Sequence, residues 1–106
     1  MKGVALINLT TFSDLRGSIS IIENSGEFPF VPRRVYFLYD IPDEAERGGH
    51  AHKTSHQIII ASSGSFDIIL DDGSEKESFH LHRPDVGLLI SPIKWRVLNN
   101  FSSGAV

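Results

Sequence analysis

The 106-residue chain has no cysteine. That excludes a disulfide framework and thiolate chemistry, and it suits a reducing compartment. The chain also has no large excess of either charge, its formal net charge being −3. A general nucleic-acid or membrane-surface binder is therefore not expected, and an anionic ligand would need a local basic patch. Long hydrophobic runs are missing too. Val4 to Ile7 is apolar, but Asn8, Thr10 and Thr11 follow too soon for a signal peptide. No run is long enough to cross a bilayer. Finally, no segment keeps a helical period. These absences lead to the expectation of one cytoplasmic domain spanning residues 1–106.

What is present is a succession of short strand-like segments. Val4 to Thr10 is rich in aliphatic and β-branched residues, as strands are. Thr11 to Arg16 reads as a polar turn. Ser18-Ile19-Ser20-Ile21 alternates polar and apolar, the signature of a half-buried strand. Asn24-Ser25-Gly26 breaks it, and the prolines of Phe28 to Pro32 favour extended backbone. Arg33 to Tyr39 is a strong strand candidate, and Pro42 to Glu46 is a polar loop with room for one helical turn. Further strands are expected at Gln57 to Ala61, Ser65 to Leu70, Ser74 to His82, Val86 to Ile90 and Trp95 to Asn99. Asp72-Gly73 marks a hairpin between two of them. About nine strands at this spacing predict an all-β sandwich or barrel. Ala105-Val106 reads as the start of a further strand, so that a C-terminal strand and tail are missing, or a neighbouring chain completes the sheet.

The stretch Arg47-Gly48-Gly49-His50-Ala51-His52-Lys53-Thr54-Ser55-His56-Gln57 stands out. It holds three of the five histidines within seven residues. On a strand, His50 and His52 would share a face, roughly 6–7 Å apart. Two converging imidazoles can bind a metal or move protons. By contrast, His80 and His82 alternate with Phe79 and Leu81. If the apolar pair faces the core, that second histidine pair faces solvent.

A glycine, a His-x-His pair and a following Gln resemble the first motif of the cupin family, small double-stranded β-helix barrels of jelly-roll type. Arg16-Gly17, Arg34-Val35-Tyr36, Arg47 to Lys53, Gln57, Asp72-Gly73, Gly87-Leu88 and Pro92 with Trp95 resemble the WxcM-like branch of cupins. The likeness runs from Arg16 to about Val106. It implies a sugar-nucleotide 3,4-ketoisomerase that moves the carbonyl of dTDP-4-keto-6-deoxyglucose from C4 to C3. It also implies a homodimer that exchanges strands and needs no metal or other cofactor.

The residues point the same way. Metal-binding cupins follow His-x-His with a Glu and a later His. Here the Glu position is Gln57, a poor ligand for a divalent cation. The strand from Pro92 to Asn99 has no histidine, and Lys94 and Arg96 add positive charge. His56 has no fixed direction in this reading. Proton transfer asks instead for a base and an acid near neutral pH, which paired histidines supply. His50 and His52 are therefore the expected catalytic pair, His50 being the choice for the base at C3, with Tyr36 as a hydroxyl donor. Gln57 would contact substrate or fill a former ligand position. Trp95 would cover the pocket or simply pack. Arg16 and Arg47, each before a glycine, would meet the pyrophosphate. Of the adjacent Arg33 and Arg34, only one can face a pocket. Three rivals remain: a non-catalytic sugar-nucleotide-binding cupin, an epimerase of the same substrate class, and a metal-dependent cupin enzyme.

Overall fold

A computed structural model describes residues 1–24 and 28–106. Among these residues there are nine strands and no helix. Ser25 and Gly26 of the expected break lie outside the described residues.

Two antiparallel sheets carry the architecture. The first has the order β1 (Val4–Asn8), β8 (Val86–Ile90), β5 (Gln57–Ile60). The second runs β4 (Arg47–His50), β9 (Trp95–Asn99), β6 (Phe66–Asp71), β7 (Lys76–Leu81). Among the described residues a two-stranded hairpin, β2 (Thr10–Asp14) with β3 (Gly17–Ile21), pairs only with itself. Both sheets contribute to one hydrophobic cluster: Ile68, Leu70 and Leu98 from the second, Leu88 and Ile90 from the first. Alternation does the sorting. In β6, Phe66, Ile68 and Leu70 are buried while the residues between them are only half-buried. Full burial of a Leu or Ile side chain contributes about 1.5–3 kcal/mol, so this cluster is the main source of cohesion between the sheets.

Phe79 and Leu81 turn toward this core, whereas His80 and His82 are exposed, as expected. Their rings stack with centroids 5.5 Å apart. His80 Nδ1 lies 2.6 Å from Asp67 Oδ1, and Asn100 donates to the other oxygen of that carboxylate. Val106 exchanges backbone hydrogen bonds with Ser63.

Three local expectations need correction. Thr11 to Asp14 is not a turn but most of β2, closed onto β3 through the two-residue loop Leu15-Arg16. Its polar alternation is the mark of a hairpin with one hydroxyl face: Thr11 bonds Ser20 at 2.8 Å and Ser13 bonds Ser18 at 2.7 Å. Pro42 to Glu46 makes a turn, with Ala45 N–H donating to the Pro42 carbonyl, but no helix. Arg33 to Tyr39 joins no sheet among the described residues. The β-branched and aromatic content is that of a strand, yet a strand needs a partner with free backbone groups, and none of the described strands pairs with it.

Candidate active site

The site begins with a fault in a ladder. Going down β4, Arg47 pairs with Leu98 and Gly48 with Val97, but then His50 pairs with Arg96. Gly49 is the extra residue of a β-bulge. In regular register His50 would fall opposite Trp95, whose face is the outer one. Side chains alternate with period two, so the one-residue bulge transfers His50 to the face of Arg96, where the residue stays exposed to solvent. There it shares a rung with Arg96 and, one strand further, the fully buried Leu70. The bulge requires unusual backbone: φ is +97° at Gly48 and +71° at Gly49. A Cβ on Gly48 would stand 2.7 Å from the Arg96 carbonyl oxygen, a distance only glycine avoids.

His52 lies beyond the end of β4, so the condition that both histidines sit on one strand is not met. Its backbone is held by Ile93 N–H, which donates to the His52 carbonyl at 2.7 Å. The two imidazoles still converge, with ring centroids 5.2 Å apart and planes at 76°. Gln57 opens β5 opposite Ile90, which is buried, so Gln57 points inward as well. Its amide nitrogen is 3.0 Å from His52 Nε2 and donates to the Tyr36 hydroxyl at 3.0 Å. Its amide oxygen accepts from Arg96 Nη1. Tyr36 is 57 % exposed and the Arg34 guanidinium lies over its ring, 5.2 Å from the centroid. A cation over an aromatic face is mildly stabilising and holds the ring at the rim of the cluster.

Arg96 is the residue the sequence reading undervalued, as a charge that merely discouraged cations. It is only 3 % exposed, and among the described residues its Nε and Nη2 have no protein partner. A buried guanidinium with two idle donors is costly, which marks the position as a candidate for function. Burial lowers its pKa from the ordinary arginine value, with Tyr36 opposing the effect. The signal was in the pattern: Leu98 is apolar and two residues on, so Arg96 shares its inward face.

His52 has its pKa lowered, first by burial and then by the positive charges of Arg96, His50 and Arg34. Both causes disfavour the imidazolium. Among the described residues no side-chain hydrogen bond involves His50.

The other expected residues are scattered. Trp95 is 48 % exposed on the outer face of β9, beside Gly49, and is not brought to the histidines. Arg47 lies in register with the inward-facing Leu98, with its side chain exposed. Arg16 is at the exposed tip of the β2–β3 hairpin, ion-paired with Asp14 at 2.6 Å. His56 turns away from His50 and His52, stacking on Phe30 at 6.2 Å. With Val4, Ala5 and Leu89 it lines a hollow of about 360 Å³ that contains none of the cluster's residues. Among the described residues no group of three His, Asp or Glu side chains is arranged to hold a metal.

The sequence matches the family model described as FdtA, WxcM-like, C-terminal, over residues 2–106. The chain belongs to the WxcM-like family. It is 40 % identical over 101 residues to a TDP-4-oxo-6-deoxy-alpha-D-glucose-3,4-oxoisomerase of Aneurinibacillus thermoaerophilus, covering 95 % of this chain and 73 % of that protein. It superposes on WlaRB, a TDP-quinovose 3,4-ketoisomerase of Campylobacter jejuni, with a TM-score of 0.93 and 46 % identity, covering 99 % of this chain and 81 % of the other. A histidine-to-asparagine variant of the 3,4-ketoisomerase QdtA of Thermoanaerobacterium thermosaccharolyticum, in complex with TDP-4-keto-6-deoxyglucose, matches with a TM-score of 0.94 and 34 % identity. That match covers 99 % of this chain and 76 % of the other. The all-β cupin architecture expected from the sequence holds. This WxcM-like protein brings two imidazoles, a phenol, an amide and a guanidinium into one cluster, in which Arg96 is buried and His50 and Tyr36 are exposed. No carboxylate joins them in the contacts above. Such a set can accept a proton, donate one, and stabilise negative charge on oxygen.

Proposed function

We propose that this protein is a sugar-nucleotide 3,4-ketoisomerase acting on dTDP-4-keto-6-deoxyglucose, by proton transfer through an enediol. His50 takes the proton from C3. The C–H electron pair becomes the C3–C4 double bond, and the carbonyl electrons move onto the C4 oxygen, which takes the Tyr36 proton while His52 donates a hydrogen bond to it. The enediol then takes the proton held by His50 at C4 while the C3 hydroxyl returns one to Tyr36, and the carbonyl re-forms at C3. Protons and electrons balance, so no oxidant or reductant is consumed. The idle N–H groups of Arg96 offer charge-assisted hydrogen bonds to the developing oxyanion. Arg47 is assigned to the pyrophosphate. The observation that carries this reading is the rung His50–Arg96, with Gln57, His52 and Tyr36 gathered at it. The activities named for relatives at 40 % and 46 % identity support it.

The same reading includes a homodimer. Arg33 to Tyr39 is strand-like in sequence but unpaired among the described residues, and Val35, Tyr36, Phe37 and Tyr39 are exposed along it. Phe12 and Ile19 are exposed on the hairpin as well. So much apolar surface on strand-forming segments supports strand exchange between two copies. Arg16, remote from the cluster in one chain, has a substrate role only in that assembly. No helix of the described residues is long and apolar enough to cross a membrane. We place the protein in the cytoplasm, a placement that the lack of cysteine supports.

The test is to incubate the protein with the 4-keto sugar nucleotide in deuterated water and record the product's NMR spectrum. Isomerisation moves the carbonyl signal to C3 and puts deuterium on the ring at C4. Binding without exchange over hours would make the protein a non-catalytic module. Exchange with the carbonyl still at C4 would make it an epimerase. Activity abolished by a chelator and restored by a metal would replace the proton-transfer mechanism.

A further inference from the structure

The hydrogen bonds around Gln57 have a direction, and one residue sets it. A guanidinium has donors only and stays protonated under all ordinary conditions. Whatever Arg96 Nη1 touches on Gln57 must therefore be the amide oxygen. The amide nitrogen is then turned to the other side, where it has two hydrogens and two neighbours, the Tyr36 hydroxyl and His52 Nε2, each at 3.0 Å. Both neighbours must accept. His52 Nε2 can accept only if it carries no proton, so a neutral His52 has its proton on Nδ1. The Tyr36 oxygen accepts from Gln57, so the phenolic proton is not used by Gln57.

We propose that Arg96 is a positioning residue which, acting through Gln57, locks His52 as the neutral Nδ1–H tautomer and leaves the Tyr36 proton available to donate. This division rests on the ketoisomerase reading for its catalytic meaning: His52 enters the reaction as a donor, not as the base, and the base is left to His50. The lock itself is a property of the resting protein. The groups that face His52 are consistent with it. His50 comes from β4, Arg96 from β9, Gln57 from β5, and Arg34 and Tyr36 from the extended segment before β4. None is a carboxylate, so nothing among them favours an imidazolium. Burial acts in the same direction.

The experiment is ¹⁵N NMR of histidine-labelled protein without substrate, assigned with His52→Asn, together with Gln57→Glu and Arg96→Lys. In the wild type the His52 signals are those of a protonated Nδ1 and a bare, hydrogen-bonded Nε2. In Gln57→Glu the carboxylate still accepts from Arg96 but offers His52 only an acceptor. His52 then takes its proton on Nε2, and its pKa rises by about one unit or more, as beside any close carboxylate. Turnover falls by about 10²-fold with little change in KM, because an acid–base group is in the wrong form. Arg96→Lys, which keeps a donor to the amide oxygen, retains the wild-type tautomer. A wild-type His52 protonated at Nε2, or a Gln57→Glu protein with unchanged His52 signals, would overturn the proposal. If the tautomer is as stated but the wild type does not convert the keto sugar, the lock stands and the ketoisomerase reading falls.

Discussion

His50 and His52 differ in what already occupies them, and that decides what replacing each should do. Gln57 holds His52, and among the described residues no side-chain hydrogen bond holds His50. His50→Asn keeps approximate size and removes the basic nitrogen. We expect kcat to fall by about 10²–10⁴-fold with the far-ultraviolet circular dichroism unchanged. Full activity in this variant would remove His50 from the mechanism. His52 carries the pH dependence. Its folded pKa lies below the ordinary value of 6.5. As pH falls below about 6.5, the unfolded chain binds a proton that the folded chain does not. Its share of stability is thus present above that pH and is lost as pH falls through the folded value. Urea unfolding at steps from pH 7.5 to 5 should show wild-type stability dropping more than that of His52→Asn. Parallel curves would contradict it. At this scale the sequence was informative where residue type alone implies chemistry, as with the histidine pair. It registered Arg96 only as positive charge, because an arginine reads as surface unless the alternation with Leu98 is followed to the face it shares.

Among the elements, the bulge in β4 matters most. Gly48-Gly49 stood out beside the histidines, but sequence alone had no means of counting residues across a ladder. Only the register with β9 shows that Gly49 is the extra residue and that it turns His50 to the face of Arg96. Deleting Gly49 should restore regular pairing and send His50 to the Trp95 side, abolishing turnover while the sheet signal in circular dichroism persists. Retained activity would refute the role given to the bulge. Gly48→Ala should cost about 1–3 kcal/mol, because it forces a strained backbone against the Arg96 carbonyl. Thermal unfolding would measure it. The segment Arg33 to Tyr39 teaches the reverse lesson. Its composition is that of a strand, but pairing depends on a partner distant in the chain or in another chain. Local pattern cannot supply that.

Across the whole molecule, one cluster fed by both sheets keeps the site's walls together. Ile68 is fully buried at its centre. Ile68→Ala should destabilise by about 2–5 kcal/mol, measured by denaturant titration. The exposed apolar segments bear on assembly. Light scattering coupled to size-exclusion chromatography should return the mass of two copies, and Val35→Asp with Phe37→Asp should halve it. A wild-type monomer would refute the homodimer and, with it, any role for Arg16 in substrate binding.

What the sequence determined by itself was local or compositional. It determined the all-β class, the strands whose alternation shows which side is apolar, the solvent-facing His80 and His82, and the histidine stretch as the candidate site. Those follow from period-two patterning and from the chemistry of single side chains. Tertiary structure alone decided which residues meet. It moved His50 to the face of Arg96 by one bulged residue, placed Trp95 outside, and brought Arg96 and Gln57 to His52. The reason is that sheet register is a relation between distant segments, and a shift of one residue there reverses every side chain beyond it.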